Sequence, residues 1–309
     1  TITPTVDGAT PAAPGSSGEA LPPPSGGDRL AFASNRDGDY EIFLMDVDGS
    51  NLLQLTANGV EDFDPAWSPG GDQIAYVSRA TPNDLSQIMV MNADGSGQQA
   101  VTPADTVYFD PDWSPDGNWL AFSSNRAGSY DLYIMRPDGS DLCQLTASDR
   151  NELTPRWSPN GTMLGYHTRI GQDRATSELF MVEVNPDAAC PDVVRGVPQQ
   201  ITDNTVLDQW LDWSPDGLRL AYTSQGEDED NRHDLYMLDL AYNLATVLTS
   251  GAGDDDDPVW SSDGTRIAFD SNRAGGSNFL LYVLDVNTGQ VSQITSGAQD
   301  DVAPAWQPR

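Results

Sequence analysis

Asp110-Pro111-Asp112-Trp113-Ser114-Pro115-Asp116-Gly117-Asn118-Trp119-Leu120-Ala121-Phe122-Ser123-Ser124 writes a strand, a tight turn and a second strand in fifteen residues. Proline presets φ and glycine accepts a positive φ, so Pro115-Asp116-Gly117 stops a first strand at about Asp110–Ser114 and reverses the chain into a second, Trp119–Ser123. The polar run Asn125-Arg126-Ala127-Gly128 returns it into a third strand, Asp131–Met135. Pro137-Asp138-Gly139-Ser140 then turns it into a fourth, Leu142–Thr146. Short runs of β-branched and aromatic residues separated by such turn chemistry read as an antiparallel meander, with strands A to D.

The unit recurs around Trp67, Trp113, Trp157, Trp213, Trp260 and Trp306, at intervals of 46, 44, 56, 47 and 46 residues. That period suits one four-stranded propeller blade and is too long for a leucine-rich or ankyrin unit. A lone meander leaves an apolar face and two strand edges wet, whereas a ring of meanders packed face to face leaves only short edges. The sequence near Asp28 begins directly with a B-like strand, Leu30-Ala31-Phe32, and the sequence near Val302–Trp306 supplies an A-like strand without a B. The expected fold is therefore all-β: a six-bladed propeller of four-stranded antiparallel blades, its ring closed by the C-terminal strand joining the N-terminal blade. Residues 28–309 form this propeller and residues 1–27 a Thr/Pro/Ser/Gly-rich extension or linker.

Trp-Ser-Pro-Asp-Gly at 113–117 and 213–217, Ser-Asn-Arg at 34–36, 124–126 and 271–273, and Asp-Gly-Ser at 48–50, 94–96 and 138–140 resemble the repeats of the TolB-like propeller family. The resemblance runs over nearly everything from residue 28 onward. It implies the propeller fold and leaves the activity open, since similar repeats occur in periplasmic scaffolding propellers, in prolyl oligopeptidase-like enzymes and in oligogalacturonate lyases. Three departures bear on that choice. TolB carries an α/β domain before its propeller, where this sequence has 27 low-complexity residues; no Gly-x-Ser-x-Gly nucleophile elbow occurs; and the lyases use a metal with a histidine cluster, where this sequence has only His167 and His233.

Fifteen basic residues, all arginine, stand against 47 acids, for a net charge of −32. Such a surface repels nucleic acid and anionic membrane, leaving cations, other proteins or neutral glycans as partners. No membrane-spanning run is present. The start at Thr1 reads as a processed protein or an excised fragment, and the extension resembles exported stalks that carry O-linked sugars, which points to an extracellular or cell-surface location, with the periplasm also compatible. Asn160-Gly161-Thr162 matches a glycosylation sequon but coincides with an A-to-B turn, where Asn-Gly is turn chemistry.

An acid stands five positions before the tryptophan in five units, Asp62, Glu152, Asp208, Asp255 and Asp301, with Tyr108 the exception; three positions before it stand Asp64, Asp110 and Asp257. Repetition places these acids on one rim. Two readings follow: Asp255, Asp257 and Asp301 hold calcium, which favours six to eight oxygen ligands, or each acid caps its own loop. No other cofactor is expected. The recurring arginines Arg36, Arg126 and Arg273 are expected to bridge carboxylates of neighbouring blades, and Phe32, Tyr76, Phe122, Tyr166, Tyr222 and Phe269 to fill the packing. The breaks in the repeat are the long connection Asn185–Pro198, Trp210, and the acidic loop Glu227–Asp230. Cys143 and Cys190 fall on the same face of adjacent blades and are expected to form a disulfide. In Thr1-Ile2-Thr3-Pro4-Thr5-Val6, five residues of six are β-branched, so Ile2, Thr3, Thr5 and Val6 read as an edge strand that pairs with a neighbouring molecule and builds a homo-oligomer or filament. The function expected is a non-catalytic structural or protein-interaction subunit, the alternatives being a glycan- or peptide-binding module and an enzyme acting at the channel mouth.

Overall fold

The computed structural model describes residues 28–80, 85–169, 177–204, 206–225, 232–251 and 253–308. The extension with Ile2, Thr3, Thr5 and Val6, and the acidic loop Glu227–Asp230, lie outside the described residues. Among the described residues, twenty-four strands form six four-stranded antiparallel sheets. Blade three shows the common plan: β8 (Tyr108–Trp113), β9 (Leu120–Ser124), β10 (Asp131–Met135) and β11 (Cys143–Gln144) pair in chain order from the centre outward. Its outermost strand is shorter than the sequence predicts.

Blade two runs from β4 (Glu61–Trp67) to β7 (Gln99–Ala100), blade four from β12 (Asn151–Trp157) to β15 (Val194–Gln200), blade five from β16 (Asp208–Trp213) to β19 (Leu244–Val247), and blade six from β20 (Asp255–Trp260) to β23 (Val291–Gln293). Blade one is composite. The C-terminal strand β24 (Asp301–Trp306) pairs antiparallel with β1 (Arg29–Ser34), which continues into β2 (Glu41–Asp46) and β3 (Leu53–Gln54). Leu30 lies opposite Trp306 and Ser34 opposite Asp301, so the expected closure is the one observed.

The core sits between blades. Phe32, Tyr76, Phe122, Tyr166, Tyr222 and Phe269 are all buried, and five of them contact the aromatic residue directly across the ladder in the same blade, as Phe122 does with Tyr133 at 5.8 Å. The repeat tryptophans do more than fill space. The indole Nε1 of Trp67, Trp113, Trp213 and Trp306 donates to a backbone carbonyl of the preceding blade, on Ala305, Ala66, Arg156 and Val259, at 3.0–3.2 Å. Each bond satisfies a buried donor and fixes one blade against the next.

Every innermost strand carries a register shift just before its tryptophan. The bulged residue adopts φ between 44° and 54° at Asp64, Asp110, Thr154, Trp210, Asp257 and Ala303. In five of the six blades the next residue is proline, which has no N–H to give the ladder, so the interruption falls where the sequence cannot pair. Aspartate tolerates this left-handed backbone better than most residues, which is one reason for its presence at three of the positions.

Candidate functional site

The bulges turn their side chains into the central channel, a cavity of about 320 Å³ lined by the innermost strands of the ring. Two rings of side chains meet there. One comes from the bulged residues Asp64, Asp110, Trp210, Asp257 and Ala303; the other, just before each tryptophan, from Ala66, Asp112, Arg156, Asp212, Val259 and Ala305. One guanidinium, on Arg156, therefore faces a wall of carboxyl groups. Burial alone disfavours its charge, but Asp112, Asp110, Asp212 and Asp257 outweigh that and raise its pKa further.

The carboxyl pKa values rise as well, which in their case disfavours the charged form. Burial, then the charge of Asp110, pushes Asp64 up to about 7. Burial takes Asp112 to about 6 and Asp212 to about 7, and holds Asp257 and Asp270 well above the ordinary carboxylate range. Several of these groups accept hydrogen bonds from the next blade. Asp112 accepts from the Trp157 backbone N–H and Asp212 from that of Trp260, each at 2.7 Å, and Asp270 accepts from Ala303 N–H at 3.0 Å. Thr154 donates to Asp110 at 3.2 Å. Where Asp112 and Asp212 act in this way, the indole nitrogens of Trp157 and Trp260 are buried without a partner, unlike those of the other four repeat tryptophans.

The acids expected on one rim occupy two places. Asp64, Asp110 and Asp257 enter the channel, whereas Asp62, Glu152, Asp208, Asp255 and Asp301 are buried within the blades. Asp62 accepts from Asn58 at 2.8 Å, Asp208 from Asn204 at 2.7 Å and Glu152 from Ser148 at 2.7 Å, each partner four residues earlier in the loop that the acid closes. Asp255 binds Ser271 and Arg273, and Asp301 binds Arg36 at 2.6 Å and Gln299 at 3.0 Å. Asp255, Asp257 and Asp301 thus have separate surroundings and do not supply the six to eight oxygens of a calcium shell in one place. Among the described residues, the group whose carboxylate oxygens do lie within 4.8 Å of one another is Asp37, Asp39 and Glu41, in the loop leading to β2 and at its first residue. Sequence reasoning missed it, although Asp37 and Asp39 stand where blade three has Ala127 and Ser129. Glu41 also faces Asp62 across the blade joint, and burial pushes it up to about 7.

The arginines require a correction. Arg36 and Arg273 pair with acids of their own blade, because Ser34 is in register with Asp301 and Ser271 with Asp255, so the pairs do not bridge neighbouring blades. In blade three Tyr108 replaces the acid, and Arg126 lies over the ring of Tyr133 at 5.9 Å. Trp210, one of the breaks in the repeat, lies inside β16 at φ 44°, a costly conformation for so bulky a residue. Its ring has edge contacts with His167 at 6.4 Å and His233 at 6.2 Å. His233 is held by Asp256 at 2.9 Å, which raises its pKa; His167 is buried with neither ring nitrogen bonded, and burial, with Arg169 and Arg156 adding, lowers it to about 3. Cys143 and Cys190 form the expected disulfide, tying the outer strand of blade three to the long connection of blade four.

This plan of six composite-closed blades is matched by a family model described as the TolB beta propeller domain, over residues 16–191 and 192–309. The chain belongs to the TolB beta propeller domain family. A TolB homolog of Chlorobaculum tepidum is 44% identical over 50 residues, 16% of this chain and 12% of that protein. The matches to curated relatives span only 11 to 26% of those proteins' lengths. The crystal structure of TolB from Acinetobacter baumannii aligns with a TM-score of 0.73 at 19% identity, covering 91% of this chain and 67% of that one. Oligogalacturonate lyase in complex with manganese aligns with a TM-score of 0.58 at 17% identity, covering 86% and 73%. At these identities both structures show a shared fold alone.

Proposed function

We propose that this TolB-type propeller is a non-catalytic protein-interaction subunit that works outside the cytoplasm and assembles with further copies of itself through Ile2, Thr3, Thr5 and Val6. The observation that carries the non-catalytic reading is the use made of the channel carboxyls. Asp112 and Asp212, which line the channel, and Asp270 behind it accept backbone N–H groups of the adjoining blade, so these acids hold the ring together. A general acid or base must instead reach its substrate. The disulfide suits an oxidising compartment, which favours the periplasm, the cell surface or the extracellular space. Among the described residues no helix is long and apolar enough to cross a membrane. Protein partners fit the family, and the charge of −32 favours partners with basic or neutral surfaces.

The particle mass of the full chain, followed from nanomolar to high micromolar concentration beside a chain lacking residues 1–20, tests the reading. Concentration-dependent growth of the full chain alone is expected. A full chain that stays monomeric throughout, or a shortened chain that grows equally, rejects self-assembly through this segment.

A further inference from the structure

We propose that the outer edge of blade five, Leu244-Ala245-Thr246-Val247, is the acceptor on which the segment Thr1–Val6 of a second copy adds as a strand; this rests on the self-assembly reading above. In a closed propeller the innermost strand of each blade turns its free edge to the channel and the outermost strand turns its own to solvent, and proteins blunt such outer edges by shortness, charge, proline or bulges. Five outer strands follow that rule. β3, β7 and β11 have two residues and β23 has three. β15 is longer, but it carries Arg195, Gly196 at φ 80° and Pro198, with a register shift against its partner.

β19 has none of these devices. It pairs on one side with residues 236–239 in unbroken register, contains no charge, proline or glycine, and all four of its residues are exposed. Alternate residues of an antiparallel strand turn N–H and C=O outward, so the free side offers a ladder to a visitor. Its setting is apolar as well. Of the eight exposed large hydrophobic residues among those described, Leu244 and Val247 lie in this strand and Tyr242, 83% exposed, in the turn before it. Leu218 is a fourth, in a turn whose carbonyl accepts the N–H of Leu240 at the end of the partner strand.

Charge selects the visitor. Two copies at −32 repel each other over most of their surfaces, so contact is least opposed where neither side is charged. Thr1–Val6 carries no charged side chain and has five β-branched residues in six, and Pro4 is tolerated in a strand with one free side. Residues 7–27 join it to Asp28, which is anchored by an ion pair to Arg266 of blade six and by its carbonyl to Val47 N–H. A Pro-rich run of that length extends roughly 60 Å at about 3.1 Å per residue, enough to leave its own propeller and reach the next.

The full chain is compared with Leu244→Lys/Val247→Lys, with Leu52→Lys on blade one as a control, and with a chain lacking residues 1–6, by particle mass against concentration at low and high salt. A labelled peptide of residues 1–12 is titrated onto each. The expected result is that the double lysine variant and the deletion each raise the concentration for half-assembly at least about tenfold, while Leu52→Lys does not. The peptide should bind the deleted chain and not the double variant, and salt should promote assembly of the full chain by screening repulsion. If the deletion abolishes assembly but the double lysine variant assembles normally, the acceptor is wrong although self-assembly stands. If the double variant alone abolishes it, the visitor is not this segment. A full chain that is monomeric at every salt overturns both readings, even if the peptide binds, since the segment then docks within its own molecule.

Discussion

Replacing Asp212 by asparagine removes one buried charge from the channel and keeps an oxygen for the Trp260 N–H that lies 2.7 Å away. The carboxyl of Asp212 is part-buried in the channel wall, and burial moves it from 3.8 to about 7. The sign follows from linkage. In the unfolded chain the group loses its proton near pH 3.9, whereas the folded protein holds it to about pH 7, so its contribution to stability is complete below the unfolded value and is lost as pH rises through the folded one. At 1.36 kcal/mol per tenfold change in proton affinity, the full difference is about 4 kcal/mol, a ceiling because Arg156 loses a partner in the variant. At about pH 3 the parent carries a proton there in both the folded and the unfolded chain, so parent and Asp212→Asn should unfold at closely similar urea concentrations. At pH 8 the variant should be the more stable, by up to about 4 kcal/mol, with a flatter profile between. Urea unfolding followed by tryptophan fluorescence at both pH values measures this. Parallel pH profiles, or a variant weaker than the parent at pH 8, would refute the assignment of a buried, proton-dependent joint.

Two further outcomes follow from the bonds described. Removing the disulfide with Cys143→Ala/Cys190→Ala opens a loop of 47 residues, and should lower unfolding stability by up to about 4 kcal/mol in non-reducing urea titrations and make Asn185–Pro198 the first site of protease cleavage. Arg273→Gln leaves Asp255, 1% exposed, without its counter-charge and should cost about 3–5 kcal/mol, whereas Arg126→Gln, with an aromatic ring and no acid beneath it, should cost about 1 kcal/mol or less. Equal losses in the two thermal or urea midpoints would show that the acid contributes nothing.

The blades were legible because their signals are local: Trp113, Pro115 and Gly117 mark a strand and its turn without reference to the rest of the chain. The closure was legible from complementary ends, Leu30 lacking an inner strand and Trp306 lacking a following one. The channel was not. In a regular strand residues two apart share a face, so Asp62 and Asp64, or Asp255 and Asp257, read as one acidic rim. The bulge breaks that period between them, burying the first and turning the second inward. The position before each tryptophan was passed over because no common residue marks it. Its variation, from Ala66 through Asp112, Arg156 and Asp212 to Val259 and Ala305, was the available signal, since those side chains form the second channel ring. The arginine pairing was misread because it depends on the register of the two inner strands, which places Ser271 opposite Asp255 within one hairpin and Ser34 opposite Asp301 across the ring closure.

The pairing of Leu30 with Trp306 also sets a schedule. Strand β1 is among the first parts of the propeller to leave the ribosome and β24 the last, so through almost the whole of synthesis the earliest blade waits for its innermost strand. Five blades can form one after another while the sixth interface stays open, and contacts this distant in sequence are slow to make. Maturation of the ring is thus a late event at a single place, the joint between the first strand and the last.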